Sequence, residues 1–513
     1  MFAIKEDPGL PRLAWIAEYK SVNQNLIVHH GRDVEVGDDF LVEGAWDGRY
    51  EDFDFDTSNH FFGSGLKIKE NELIVAPSTG LVDRIFIGES QERYFISNSL
   101  VEILARTDST LIRNNNYKIQ TNTIQNGINR YINDYPISSN IIESLKQYFY
   151  HPIVIKERST TVKRRAQSQD FLNYEDYIST IKSDLNKISL NSSSPLRKKT
   201  FDLYTTVSRG YDSTAVTALA AELPIKSAFT SKTSNSSFLG LLSQSLINDD
   251  GTAIAERLGL TVTYLDFDDH DIENDELYFL AATTGGPELQ LYKMHKILEG
   301  NERPSIVLTG YHGDTVWGLS PPKEALTNDI IKPGASGLTL SEIRLRSGFI
   351  DIPVPTMYAR SIISINRLSS SKEMSKWSVG GDYDRPIPRR ILESQGIKRN
   401  DFGRKKRAIA TFYDLPRNEN LRKEFLSYMK MEHNRSSVII KLNRLKDRLR
   451  YYFKMCLFII DKITFKTGKF KRPLDIHTID TPYYMHLWSL SNLVKTRIIE
   501  LDSEAKKELR IKQ

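Results

Sequence analysis

The sequence predicts an α/β protein built on a doubly wound parallel sheet, preceded by a β-rich region and followed by helices. Three observations predict it. Short β-branched or aromatic runs between turn residues fill the first part of the chain, strands and helices alternate between Phe201 and Thr309, and from about residue 411 apolar residues recur at helical spacing. At 513 residues the chain is too long for one core, and it divides by pattern into 1–165, 166–410 and 411–513.

Composition excludes more than it selects. With 40% hydrophobic and 26% charged residues it is that of a globular protein, and a net charge of +5 is small for this length, so bulk electrostatics do not require a nucleic-acid partner. The single cysteine, Cys456, allows neither an internal disulfide nor a multi-cysteine zinc site and fits a reducing, cytoplasmic setting. The opening MFAIKEDPGLPRLAW lacks the basic start and apolar core of a signal peptide, and no window is apolar for long enough to cross a bilayer.

In the β-rich region Leu26–His29, Phe40–Val42, Leu73–Val75, Val82–Ile87 and Tyr94–Ile96 read as strands, with turns at Val36-Gly37-Asp38-Asp39 and Pro77-Ser78-Thr79-Gly80. A boundary follows. Lys156, Arg158, Lys163, Arg164 and Arg165 crowd one span, which reads as a solvated linker or as a patch for an acidic partner such as RNA or a membrane surface, and Ser189–Pro195 is polar and turn-rich. Between them Phe171, Tyr174, Tyr177, Ile181, Leu185 and Ile188 keep helical spacing.

The next stretch, Phe201 to Leu223, changes period partway. Residues 201–207 read as a buried strand, Ser208–Asp212 as a small polar turn, and a helix starts at Ser213 with Val216, Leu219 and Leu223 on one face. Such a unit points backbone N–H groups and a helix N-terminus at one spot, a ready anion site. A carboxylate there, Asp212, would repel phosphate unless a divalent cation sat between, so magnesium is expected to arrive with a nucleotide.

Beyond this unit Ile225–Thr230 is a strand, Thr252–Leu258 a helix, Leu260–Phe267 a strand, Glu288–Leu298 a helix and Ile306–Thr309 a fourth strand. In a parallel sheet of this kind ligands bind at the carboxyl ends of strands, where the first and fourth each deliver a polar loop. The fourth strand's loop, Gly310-Tyr311-His312-Gly313-Asp314-Thr315, sets glycines ahead of one carboxylate. That presents a metal ligand where backbone must come close, or caps the next helix. His312 reads as a loop residue.

Ser208-Arg209-Gly210-Tyr211-Asp212-Ser213 resembles the S-G-G-x-D-S pyrophosphate loop of ATP pyrophosphatases, most of all the version in asparagine synthetases, and Leu308–Gly318 is similar to their second ATP-site motif. The resemblance implies cleavage of ATP between its α and β phosphates and attachment of AMP to a carboxylate. Carried over by position, Ser208, Arg209, Gly210, Asp212, Ser213, Gly310 and Gly313 would bind ATP, and Asp212 and Asp314 would hold Mg2+. Two positions depart from the pattern. Arg209 replaces the first glycine, so it either supplies charge to the pyrophosphate or marks a lost site, and Thr315 stands where the family has glutamate.

Glu288, in Gly285-Gly286-Pro287-Glu288, matches the region from which a family member's side chain positions or deprotonates the amine, and is equally explained as a first-turn helix acid. Tyr383–Ala408 should hold a short helix, Pro386–Glu393, and then a basic loop. There the family's Arg-x-Lys pattern implies Lys406, with Lys405 beside it, as the lysine that stabilises charge developing on the acyl-adenylate. A run this basic also reads as a localisation signal or a nucleic-acid patch.

The same resemblance makes residues 1–165 a degenerate glutaminase-like domain, since Phe61–Ser99 is similar to part of one. Such glutaminases use the thiol of an N-terminal cysteine, and Phe2 stands there. The arrangement resembles β-lactam synthetases and lasso-peptide cyclases, which keep the plan without the cysteine. It implies an AMP-forming amide ligase using ATP and Mg2+ on carboxylate and amine substrates, with the amine not taken from glutamine. The rivals are an RNA-modifying ligase with the same loop, supported by the basic patches, and a binding scaffold whose loop has decayed.

In the last region Leu442, Leu445, Leu449, Tyr452, Cys456, Ile460 and Ile463 form an apolar stripe with basic residues between. The stripe is expected to pack on a core, burying Cys456; the other reading is a partner or membrane-surface helix making peripheral contact.

Overall fold

The computed structural model describes residues 2–166, 169–235, 246–265, 272–284, 291–321, 323–330, 338–381, 383–402, 415–461, 464 and 478–511. By contacts the chain falls into two units, one comprising Met1–Phe267, Glu288–Thr411 and Val494–Gln513, the other Asp268–Pro287 and Phe412–Leu493.

The first unit opens with two six-stranded sheets. One is ordered Phe2–Glu6, Asn25–His30, Trp15–Lys20, Arg93–Ser97, Ile85–Glu89 and Ser144–Tyr148, antiparallel except for its first pair. The other is ordered Ser159–Val162, Ile153–Lys156, Glu72–Ala76, Phe61–Lys69, Phe40–Trp46 and Glu35–Val36, antiparallel throughout. Alternate residues of both sheets, among them Trp15, Val28 and Ile96 from one and Leu41, Leu66 and Val75 from the other, share one buried cluster. The basic span starts in the Ile153–Lys156 and Ser159–Val162 strand pair rather than in a linker, and Lys156, Arg158, Lys163 and Arg164 on it are exposed. Lys156 pairs with Glu72 on the neighbouring strand, and Arg165 is buried, its Nε donating to the Tyr150 carbonyl at 2.9 Å. Burial pushes the Arg165 pKa down to about 10.

A five-stranded sheet follows, ordered Val262–Tyr264, Ile225–Thr230, Asp202–Thr206, Ser305–Thr309 and Phe349–Pro353, with every neighbouring pair parallel. The edge strand Phe349–Pro353 is absent from the sequence reading. Its Pro353 and central charge, Asp351, disguise it; Asp351 is buried, and its Oδ1 accepts from the Thr309 hydroxyl at 2.7 Å. The helix after the first strand, Tyr211–Leu219, starts two residues earlier than expected, which places Asp212 and Ser213 in its first turn.

The Tyr174–Ser192 helix runs on into the polar, turn-rich Ser189–Pro195 stretch. Tertiary contacts hold that end: Asn191 donates to the Gly48 carbonyl at 2.9 Å and accepts from Arg197 Nη2 at 2.6 Å. One apolar core continues from the antiparallel sheets into the parallel one, joining Phe62 and Phe149 to Tyr177, Val216 and Ile352. Beside it the buried Arg344 bridges to Glu43 at 3.1 Å and Asp83 at 2.6 Å.

The second unit is helical, with Asn274–Ala281, Glu419–His433, Ser437–Ile460 and the first part of Thr481–Ile511. Trp488 anchors it, its ring 5.5 Å from Phe425 and 5.0 Å from Tyr278. Here the structure corrects the expectation of a packed stripe. Leu442, Leu445, Leu449 and Ile460 are exposed, Cys456 with them, while Ile440, Asp447 and Met455 on the opposite face are buried. Ile463 lies outside the described residues. The helix carries apolar residues on two faces, and spacing alone does not say which one finds a cover. Among the described residues no helix is long and apolar enough to cross a membrane.

Candidate functional site

The first and fourth strands of the sequence reading, Asp202–Thr206 and Ser305–Thr309, are parallel neighbours, so their carboxyl-end loops meet. That adjacency builds the site. Thr217 fastens the Tyr211–Leu219 helix to its strand, its hydroxyl donating to the Thr206 carbonyl at 2.9 Å and lying 3.0 Å from that of Thr205.

The turn between strand and helix is held by its own small side chains. Gly210 N–H donates to the Ser208 hydroxyl at 3.0 Å, the Ser208 and Ser213 hydroxyls lie 2.9 Å apart, and the Thr214 hydroxyl donates to the Ser208 carbonyl at 2.5 Å. Gly210 occupies the N-cap position, and the helix has no side-chain cap there. With Ser208, Arg209, Gly210, Asp212 and Ser213 all partly exposed, the turn faces solvent with the positive end of a helix dipole behind it.

The glycines of the second motif serve this approach. A Cβ on Gly310 would lie 2.5 Å from the Ser213 nitrogen, and one on Gly313 would lie 2.6 Å from the Asp212 carboxyl carbon. His312 between them takes a left-handed conformation, φ 65°, and leads into the short Gly313–Val316 helix whose first turn carries Asp314. Asp212, Ser213, Gly310 and Gly313 therefore converge.

A third segment completes the wall. Arg385 is buried and donates to both carboxylate oxygens of Asp212. Burial opposes its charge, yet Asp212 outweighs that and holds the Arg385 pKa above the ordinary arginine value, with the charge of Asp314 adding to the effect. Tyr383, 4.8 Å from the Tyr211 ring, has its pKa raised to about 12, first by burial and then by the Asp212 charge. Arg389 donates to the Tyr211 hydroxyl. The sequence singles out this segment for its lysines; the structure brings its opening residues, Tyr383 and Arg385, to the turn.

Arg209, the departure from the glycine pattern, turns its side chain along the site's rim. Its Nη2 donates to the Asn400 carbonyl at 3.4 Å, its backbone N–H donates to the buried carboxylate of Asp249 at 3.1 Å, and its buried Nε has no partner among the described residues. Asp249 escapes sequence reasoning because no motif marks it. Thr315, in the expected glutamate's place, is buried. Glu288, Lys405 and Lys406 lie outside the described residues.

Chemically this is a helix N-terminus with Asp212 in its first turn, Arg385 paired to that acid, and Asp314 near enough for its charge to act on Arg385. Two carboxylates suit magnesium, which keeps several waters and takes only one or two protein carboxylates beside phosphate oxygens. The donor set fits, on condition that the Arg385 guanidinium turns away from Asp212.

No protein-family model matches the chain, and no curated protein matches it. Among solved structures it is similar to the glutamine phosphoribosylpyrophosphate amidotransferase from B. subtilis complexed with ADP and GMP, at 10% identity over 60% of this chain and 73% of that one. The TM-score of 0.18 is too low to carry any argument about fold or activity.

Proposed function

We propose that this protein is an ATP-dependent, AMP-forming amide ligase: it adenylates a carboxylate and passes the acyl group to an amine other than glutamine-derived ammonia. The observation that carries the reading is the meeting of Asp212, in the first turn of the Tyr211–Leu219 helix, with the Gly310–Asp314 turn at the ends of two adjacent parallel strands.

A carboxylate at neutral pH has a poor leaving group, and transfer of AMP to it supplies a good one. In this account the turn N–H groups and the helix N-terminus orient the triphosphate, while Arg209 and Arg385 meet the charge that grows on the departing pyrophosphate. Magnesium held by Asp212 and Asp314 would neutralise that same charge. The family resemblance assigns Lys406, or Lys405, to the adenylate and Glu288 to the amine. Because the one cysteine of the chain, Cys456, belongs to the helical unit, no thiol in residues 1–165 serves to release ammonia from glutamine.

Pyrophosphate release from ATP, measured with pools of carboxylates and amines, tests this. The wild type should show release that depends on a pool, and Asp212→Ala should lower it at least about a hundredfold. Absence of both release and ATP binding would instead favour a binding scaffold.

A further inference from the structure

The Ser437–Ile460 helix leaves an unusual surface open. Leu442, Leu445, Leu449, Phe453, Cys456 and Ile460 recur every three or four residues and all are exposed. At about 1.5 Å per residue the stripe is roughly 27 Å long. The helix is already anchored by its other side, where Ile440 and Met455 are buried and Asp447 accepts from the Thr478 N–H at 2.7 Å.

The charges on this helix follow a rule. Six of its residues are Lys or Arg and one, Asp447, is acidic, and that one is turned inward. At about 100° per residue, Lys441 and Arg448 border the apolar stripe on one side, and Lys446 and Arg450 border it on the other. All four are exposed. The outward face is thus apolar along its middle and cationic along both edges, the layout of a helix lying in a membrane interface with basic side chains reaching to headgroups.

We infer that this face docks the protein on an anionic lipid surface. A second copy of the chain is the wrong occupant, because pairing two such faces would bring cationic edges together. A protein partner read by register would be met by mixed charges, whereas a uniformly cationic border suits a uniformly anionic surface. The helix is too charged to span the bilayer, in keeping with the lack of any spanning helix among the described residues. The inference is independent of the ligase reading.

The test uses the full chain without nucleotide, sedimented with vesicles of phosphatidylcholine alone or with about one third phosphatidylglycerol. The wild type should bind the anionic vesicles at least about tenfold better, less so at high salt. Leu445→Gln combined with Leu449→Gln should weaken that binding about tenfold or more without changing circular dichroism, and Lys441→Gln combined with Arg448→Gln should weaken it on anionic vesicles only. Failure of the folded wild type to bind, or unchanged binding by the leucine pair, would overturn the proposal. A self-association in analytical ultracentrifugation that the leucine pair abolishes, with no vesicle binding, would assign the face to a second copy instead.

Discussion

The Tyr174–Ser192 and Ser437–Ile460 helices present the same pattern in the sequence and opposite outcomes in the fold. Both carry apolar residues at three- and four-residue spacing. In the first, Tyr177, Ile181, Leu185 and Ile188 vanish into the core shared with the parallel sheet; in the second, Leu442, Leu445 and Leu449 face outward. Periodicity reports that a helix has an apolar side. What covers that side is decided by the rest of the fold.

Stability measurements sharpen the contrast, and the largest effect belongs to the buried helix. Tyr177 is fully buried and its hydroxyl accepts from Trp317 Nε1 at 2.8 Å, so Tyr177→Ala should cost about 3–5 kcal/mol in denaturant unfolding. Close behind is Arg344→Met, which leaves Glu43 and Asp83 buried without their cation and should cost about 3 kcal/mol or more.

His295 tests the same core through pH. It is buried, neither ring nitrogen has a hydrogen-bond partner among the described residues, and burial pushes its pKa down to about 3. Between that value and the unfolded histidine's ordinary 6.5 the unfolded chain holds a proton that the folded chain lacks, so stability falls as pH drops through this window. His295→Leu should remove this term and gain about 2 kcal/mol over the wild type on going from pH 8 to pH 5, read from urea midpoints at both pH values. The smallest effect is expected on the outward stripe. Leu445→Gln combined with Leu449→Gln should change stability by no more than about 0.5 kcal/mol, and a loss of several times that would mean the face is covered after all.

The Ser208–Ser213 turn was legible for a different reason than the helices. Its small residues, its place after a strand and a second glycine-bearing loop at the fourth strand all point to one location, and the parallel pairing of Asp202–Thr206 with Ser305–Thr309 brings them together. In the sequence Gly310 and Gly313 set a carboxylate, Asp314, where backbone must come close. In the structure they also make room for the first turn of the helix itself. Arg385 and Asp249 were not legible, since a buried ion pair and a carboxylate on a loop N–H leave no mark on local pattern. The Phe349–Pro353 strand was missed because Asp351 and Pro353 argue locally against a buried strand and only its neighbours favour one. Cys456 was expected inside on the strength of its stripe and shares the stripe's exposure.

Titration of ATP into the protein by calorimetry, with magnesium and with EDTA, for the wild type and Asp212→Ala, tests the central claim most directly. The wild type should bind ATP at least about tenfold better with magnesium, and the substitution should erase that difference, because Asp212 is one of the two carboxylates proposed to hold the metal. A wild type indifferent to ATP in both conditions, or a variant that keeps the full magnesium dependence, would contradict the account.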